Sequence, residues 1–232
     1  MSSKFFTPSP RRMLLLIVTV FVLRALLAIA IVPPWQNPDE PQHFEFVHIL
    51  ARQEQLDLSE RRDLDLERAL LRSMSTHGWW RHYAEPEPSP LPVDFLEVAE
   101  HLFPVITSPP LYYLLGAAGL KITRPDDLLT QYYVLRGLSL VLAVPTIMCI
   151  WAGARRLFGT RVAAGATLLT TLHPQFVLMS TAVNPDVLVN LCGAVVWWQG
   201  ARLLAGSSGT VSMAVIACAT VTALLTKRLA VP

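Results

Sequence analysis

Asp39, Glu40 and His43 fall within five residues of one another, in Pro33-Pro34-Trp35-Gln36-Asn37-Pro38-Asp39-Glu40-Pro41-Gln42-His43-Phe44. Two carboxylates and an imidazole are a set that can move protons. One carboxylate serves as general base, and an imidazole one helical turn further on can polarise it or join it at a metal. Neighbours on a helix point roughly 100° apart, so Asp39 and Glu40 are expected to do different jobs. The plainer alternative is that both acids favour a helix N-terminus through its dipole, with His43 an interfacial histidine. A second acidic motif, Asn184-Pro185-Asp186, offers another carboxylate beside an amide. Asn and Pro are ordinary turn residues, and Asp186 would equally serve as a helix N-cap. Lys227-Arg228 places two cations at the end of an apolar block, where an anionic lipid phosphate would account for them. Arg24 lies inside an apolar run and needs a polar partner.

The elements that carry these residues are membrane-like. Apolar residues make up 53% of the chain and mean hydropathy is +0.43, high for a soluble domain. Residues 13–32 are almost wholly apolar, and about 20 such residues cross a bilayer. That stretch has no small-residue cleavage site and continues into Pro33-Pro34-Trp35, so it reads as a signal anchor. Four later blocks are expected to span, at about 130–153, 162–182, 186–205 and 210–226. The run Leu111–Ile122 is too short to cross and is expected at the interface or as a re-entrant segment. Lys4, Arg11 and Arg12 put the N-terminus in the cytoplasm, and Arg155, Arg156 and Arg161 form the other compact basic loop. Both groups stay inside only if residues 33–128 form one large extracytoplasmic loop. Asp39, Asp186 and Lys227 then share the outer side.

Within that loop, Phe44, Val47, Leu50 and Ala51 recur at helical spacing, and residues 58–74 mix charges with leucines behind Ser59, a candidate N-cap. Both segments are expected as amphipathic helices near the membrane surface. The proline-rich stretch 84–92 reads as an extended linker. Trp79, Trp80, Tyr112, Tyr113, Tyr132 and Tyr133 fit an interfacial aromatic belt. A net charge of +2 gives no case for nucleic acid. Cys149, Cys192 and Cys218 all lie in apolar blocks without a Cys-x-x-Cys pair, which argues against a disulfide framework or zinc site. The chain stops in an apolar context at Pro232 and reads as the N-terminal part of a longer protein. The expected fold is all-α, a polytopic transmembrane helix bundle whose first outer loop bears amphipathic surface helices.

Taken in order, these motifs resemble a family. The apolar first span, the Asp39-Glu40 pair, Pro109-Pro110-Leu111-Tyr112-Tyr113, Arg155-Arg156-Leu157-Phe158-Gly159, Asn184-Pro185-Asp186 and Leu224-Leu225-Thr226-Lys227 are similar to the series found in GT-C membrane glycosyltransferases. Protein O-mannosyltransferases and bacterial aminoarabinose transferases are examples. The nearest resemblance is to a bacterial family of uncharacterised multi-pass proteins with Pro-Asp-Glu-Pro-x-His-Phe and a later Pro-Gln-Phe-x-x-x-Ser-x-x-Val-Asn-x-Asp.

The resemblance implies a polytopic, inverting enzyme of the cell membrane. It would transfer a sugar from a polyprenyl-phosphate donor to a glycan, lipid or protein acceptor outside the cytoplasm. It implies Asp39 as base toward the acceptor, Asp186 as a second acid of the site and Lys227 at the donor phosphate. The candidate catalytic residues are therefore Asp39, Glu40 and Asp186. The candidate substrate-binding residues are His43, Asn184, Lys227 and Arg228. Ser108 departs from the His or Lys that relatives often carry before Pro-Pro. Divalent-metal dependence is left open, since only some relatives use one. Two other classes fit the residues alone: a lipid or solute transporter, and a non-catalytic membrane scaffold or inactive fragment.

Overall fold

Ser9 opens the first helix, α1 (Pro10–Ile31): its side chain accepts the Arg12 N–H at 3.4 Å, and Pro10 takes the first turn, where a missing N–H costs nothing. Ile17, Phe21 and Ala25, each four residues apart, form its buried stripe, while Leu15, Leu16, Leu23, Leu27 and Ile31 are exposed. A helix that is apolar on its exposed face suits hydrocarbon. This computed structural model describes residues 9–54, 62–82, 86–98, 108–206 and 209–228.

Helix α2 spans Glu40–Arg52 and α3 spans Leu64–Thr76, followed by short 3-10 turns at Trp79–His82 and Phe95–Val98. Helix α4 is Leu111–Thr123 and α5 is the 45-residue Leu128–Leu172. The last three are α6 (Pro174–Met179), α7 (Asp186–Leu204) and α8 (Gly209–Leu224). Among the described residues there is no strand, as the all-α expectation required. By length and composition α1, α5 and α7 can cross a membrane, whereas α8 is a shorter apolar helix of 16 residues.

The path of α5 sets the layout. Near its start, Arg136 donates to the Val32 carbonyl at the C-terminal end of α1, at 3.0 Å. Further on, Trp151 and Ala154 pack with Met13, Leu14 and Ile17 near the N-terminal end of α1. The two helices are therefore antiparallel. At Gly159 the backbone bends out of helical geometry, with φ +81°, a region that glycine enters without a Cβ penalty. Ala163 then returns to Ile17, Thr171 reaches Arg24, and Phe176 meets Phe21 with ring centroids 5.7 Å apart. The turn carrying Arg155, Arg156 and Arg161 thus lies at the same end of the bundle as the N-terminus of α1.

The expected span at 162–182 begins beyond the kink at Gly159, where the backbone parts two helices within α5, and it is interrupted at His173-Pro174. Proline disfavours a helical residue before it, and His173 is accordingly extended (φ −65°, ψ 120°). The break frees carbonyls at the end of α5, and Arg24 donates to that of Thr171 at 3.3 Å. A cation at a helix C-terminus inside an apolar layer is favourable, and this accounts for the arginine within α1.

The segments expected in the outer loop pack against the rest of the protein. Ten of the 13 residues of α2 are buried, so it is a core helix. The run expected at the interface is α4, which lies parallel to α2. Phe46 packs on Tyr113 at 4.6 Å, Gly116 faces Val47, and Lys121 bonds the Gln53 carbonyl at 2.9 Å. Helix α3 starts at Leu64, with Asp63 accepting the Leu66 N–H at 3.0 Å as N-cap. Ser59 lies outside the described residues.

Glu45 and Glu67 join α2 to α3 through a buried carboxyl pair. Arg62 clamps Glu67 at 2.7 and 2.8 Å, and the Phe95 N–H reaches it at 2.7 Å. Glu45 accepts the Asp63 N–H at 2.8 Å, and burial first, then the neighbouring Glu67, push its pKa up to about 8. Glu45 thus stays protonated where the unfolded chain would ionise it.

Two outcomes follow. Folding stability should be full below about 4.5 and fall as pH rises toward about 8, the window in which the folded chain binds the extra proton. Thermal unfolding of Glu45→Gln should lack that slope, and an unchanged slope would remove Glu45 as its source. In Gly116→Ala, the new Cβ would stand 2.9 Å from a Val47 methyl and 3.3 Å from Leu135. Overpacking there should cost about 1–3 kcal/mol, read as a lower Tm.

Candidate functional site

The two prolines after α1 end the helix, and the chain then takes two positive-φ residues, Trp35 (φ 71°) and Asp39 (φ 60°). A bulky residue in the left-handed region is costly and persists only where its surroundings fix it. Trp35 is fully buried. Its backbone N–H donates to the Tyr132 hydroxyl at 3.1 Å, its indole N–H donates to Ser73 at 3.0 Å, and its ring packs on Tyr132 at 4.4 Å. Asp39 is the N-cap residue of α2 and Glu40 its first residue, so both acids stand at the helix N-terminus, but Asp39 makes no side-chain cap bond.

Glu40 departs most from the expected roles. It is fully buried and accepts four hydrogen bonds: from Arg136 Nε at 3.2 Å, Arg136 Nη2 at 3.0 Å, the Tyr132 hydroxyl at 2.7 Å and the Val183 N–H at 2.9 Å. Both its oxygens are occupied, which is the chemistry of an anchor and leaves no room for proton transfer to substrate. Arg136 is fully buried too and also bonds Val32. One carboxylate therefore ties together the exit of α1, the start of α2, the face of α5 and the loop before α7.

That loop carries the second acidic motif. Asn184 is buried, and its side-chain oxygen accepts the Asp186 N–H at 2.8 Å, closing a local turn. Expected as a substrate contact, Asn184 is placed here as a turn former. Asp186 enters the first turn of α7 as a dipole partner, not as its cap. Its carboxylate pairs with Lys227 Nζ at 2.5 Å, both side chains about one-third exposed. Lys227 follows the end of α8, where its N–H bonds the Ala223 carbonyl and the preceding Leu225 carbonyl accepts the Leu111 N–H at 3.1 Å. The start of α4 and the end of α8 are thereby tied together. Arg228 is exposed beside it.

Asp39, His43, Asp186 and Lys227 lie within electrostatic reach of one another. Partial loss of water raises the pKa of Asp39, Lys227 lowers it in part, and Asp186 raises it again. His43 is nearly buried, and burial lowers its pKa to about 4 against the pull of Asp186, so the ring is neutral at pH 7. Its Nδ1 and the Tyr113 hydroxyl share a 2.9 Å hydrogen bond, and Tyr113 also bonds Ser108. The position where relatives carry His or Lys thus contributes a hydroxyl to the same cluster. Among the described residues no three His, Cys, Asp or Glu converge as a metal-ligand set, and no metal site is assigned.

Sequence reasoning missed Arg136, Tyr132 and Tyr113 as parts of this region. Arg136 had a readable signal: a lone arginine early in an apolar block needs a buried partner, and Glu40, taken as a candidate catalytic acid, is that partner. Removing that acid leaves Arg136 buried and unpaired. Glu40→Gln should therefore cost about 3–5 kcal/mol of stability, measured by thermal unfolding in lipid. A Tm near that of the unmodified protein would show that the pair does not hold the fold.

The family model described as dolichyl-phosphate-mannose-protein mannosyltransferase matches residues 107–232, more than half of the chain. The match includes Ser108, Tyr113, Arg136, Asp186 and Lys227, whereas Asp39, Glu40 and His43 precede it. No curated protein and no solved structure matches. A match of this extent, on a bundle whose loops gather an acid, a cation and a phenol, settles the family: the chain belongs to the dolichyl-phosphate-mannose-protein mannosyltransferases.

Proposed function

We propose that this protein moves a sugar from a polyprenyl-phosphate donor to an acceptor hydroxyl on the extracytoplasmic side of the cell membrane. Family membership supports a membrane glycosyltransferase with a polyprenyl-phosphate donor. The orientation is supported by the shared position of the Arg155–Arg161 turn and the N-terminal end of α1, because basic segments prefer the cytoplasm. Asp39, Asp186 and Lys227 then gather at the outer end.

The observation that carries the reading is this cluster: a carboxylate with a raised pKa beside an ion-paired lysine. Asp39 takes the proton of the acceptor hydroxyl as its oxygen attacks the anomeric carbon, with inversion. The bond from that carbon to the phosphate oxygen breaks, and the polyprenyl phosphate leaves with the electron pair. Lys227 neutralises the departing phosphate. Before donor binds, Asp186 holds Lys227 in place. Arg228 supplies a second cation at the same edge. Neutral His43, held by Tyr113, orients a hydroxyl without competing for the proton.

The two roles separate kinetically. With the full-length protein in lipid and a labelled polyprenyl-phosphate sugar, Asp39→Asn should lower turnover by roughly 10²–10⁴-fold with donor binding kept. Lys227→Ala should weaken donor binding by about 1.5–3 kcal/mol. The acid limb of the pH–rate profile should lie above the ordinary aspartate range, because the Asp39 pKa is raised. Full turnover in Asp39→Asn would remove the base, and unchanged donor binding in Lys227→Ala would remove the phosphate site. Loss of neither would favour a transporter or a scaffold.

A further inference from the structure

The first turn of α4 reaches all three segments that carry the acidic cluster. Successive helical residues point about 100° apart, so Leu111, Tyr112 and Tyr113 extend in three directions. The Leu111 N–H is the first that α4 offers after Pro109 and Pro110. It donates to the Leu225 carbonyl at 3.1 Å, two residues before Lys227. The Tyr113 hydroxyl meets His43 Nδ1 at 2.9 Å, one turn along α2 from Asp39. Between them, the Tyr112 hydroxyl takes the Asn184 backbone N–H, two residues before Asp186.

Tyr112 is the member of this set whose polar atom packing alone does not explain. It is 1% exposed in an apolar helix, where a phenylalanine ring would fill the same space. A buried phenol needs its hydroxyl bonded, and here the hydroxyl is used on both sides. The Asn184 N–H is a donor, so the hydroxyl gives its own proton to Ser139 Oγ, at 3.2 Å. Ser139 is fully buried on α5, so a chain of bonds runs from α5 through Tyr112 to the loop before α7. The preceding amide, the Val183 N–H, goes to Glu40 at 2.9 Å. Two consecutive amides are therefore fixed just before Asn184 closes its turn onto the Asp186 N–H at 2.8 Å. A single anchored amide would leave that turn free to pivot. Two set its direction, and with it the Asp186 carboxylate against Lys227.

We propose that Tyr112 is a positioning residue: its hydroxyl, held by Ser139, fixes the turn that aims Asp186 at Lys227. Its part in sugar transfer rests on the proposed function, whereas its hold on the ion pair does not. At 1% exposed, Tyr112 meets no substrate and acts only through Asp186. Without the hydroxyl, the Asn184 N–H loses its acceptor. The turn, the Asp186 carboxylate and the tethered Lys227 ammonium then all become less well placed. A cation stabilises a departing phosphate best when it is already in position as the charge develops. Loosening it therefore costs turnover more than donor binding.

The test is zero-length cross-linking of the purified full chain in lipid. A water-soluble carbodiimide activates a carboxylate, and an amine in contact with it displaces the urea to form an amide, with net loss of one water. Mass spectrometry then reads the Asp186–Lys227 amide without any transfer reaction. The unmodified protein should give this amide and Asp186→Asn should not. Tyr112→Phe should lower its yield roughly threefold or more, and Ser139→Ala should lower it in the same direction. Gly116→Ala, which strains the same helix elsewhere, should lower Tm yet keep the yield, which separates general loosening from loss of the hold. In the transfer assay Tyr112→Phe should lower kcat by about tenfold with donor KM changed much less. It should add nothing further in an Asp186→Asn background, because both changes remove one hold on Lys227. If the unmodified protein transfers no sugar, the proposed function falls while the amide yields still decide the hold. The proposal is overturned by no amide in the unmodified protein, by an unchanged yield in Tyr112→Phe, by an equal fall in Gly116→Ala, or by losses that add to those of Asp186→Asn.

Discussion

The Glu40–Arg136 ion pair is the constraint on which the rest of the structure depends. Both groups are fully buried, so each alone would carry a large desolvation cost. That cost is offset only because Tyr132 and the Val183 N–H fill the remaining acceptor positions of Glu40, and the Val32 carbonyl takes another Arg136 donor. The pair and its partners together come from four parts of the chain. The geometry of the pair therefore decides where α1 ends, where α2 starts, how far α5 rises beside them and where the loop before α7 sits. Asp39 is the immediate neighbour of Glu40 and Asp186 lies three residues beyond Val183. The exposed acids are placed by the buried one.

A second constraint comes from broken helices. Gly159 and His173-Pro174 let one long apolar stretch fold back against α1. Each break frees backbone groups that an apolar layer cannot satisfy. Arg24 meets part of that demand at Thr171, and so a charge that looks functional in the sequence is structural. Glu40 follows the same pattern. Lys227 differs, because it is about one-third exposed and its ion-pair partner Asp186 is equally exposed. Partial exposure separates residues available to a ligand from residues committed to the fold.

The sequence made the class of fold legible, since apolar blocks and helical spacing are strong local signals. The wish to keep two basic segments on one side predicted that Asp39 and Asp186 share a side, and their charges do act on one another. It failed at two kinds of place. The break at His173-Pro174 sits within one expected apolar block, where hydropathy does not show an interruption, whereas the basic run Arg155–Arg161 does mark the bend at Gly159. The role of Glu40 depends on partners about 100 to 140 residues away, which no local pattern encodes. The expectation that Asp39 and Glu40, as neighbours on a helix, face different ways agrees with their burial, since Glu40 faces the core and Asp39 the exposed edge.

The central claim is that the buried pair brings the two loop motifs to one site. Cross-linking between Asp39→Cys and Asp186→Cys with a short bis-maleimide tests it most directly, with Cys149, Cys192 and Cys218 replaced by serine. With Glu40 present, the cross-link should form in high yield in lipid. With Glu40→Ala added, the yield should fall sharply, while each cysteine alone still reacts. Failure to cross-link with Glu40 intact would contradict the account, as would an equal yield without it.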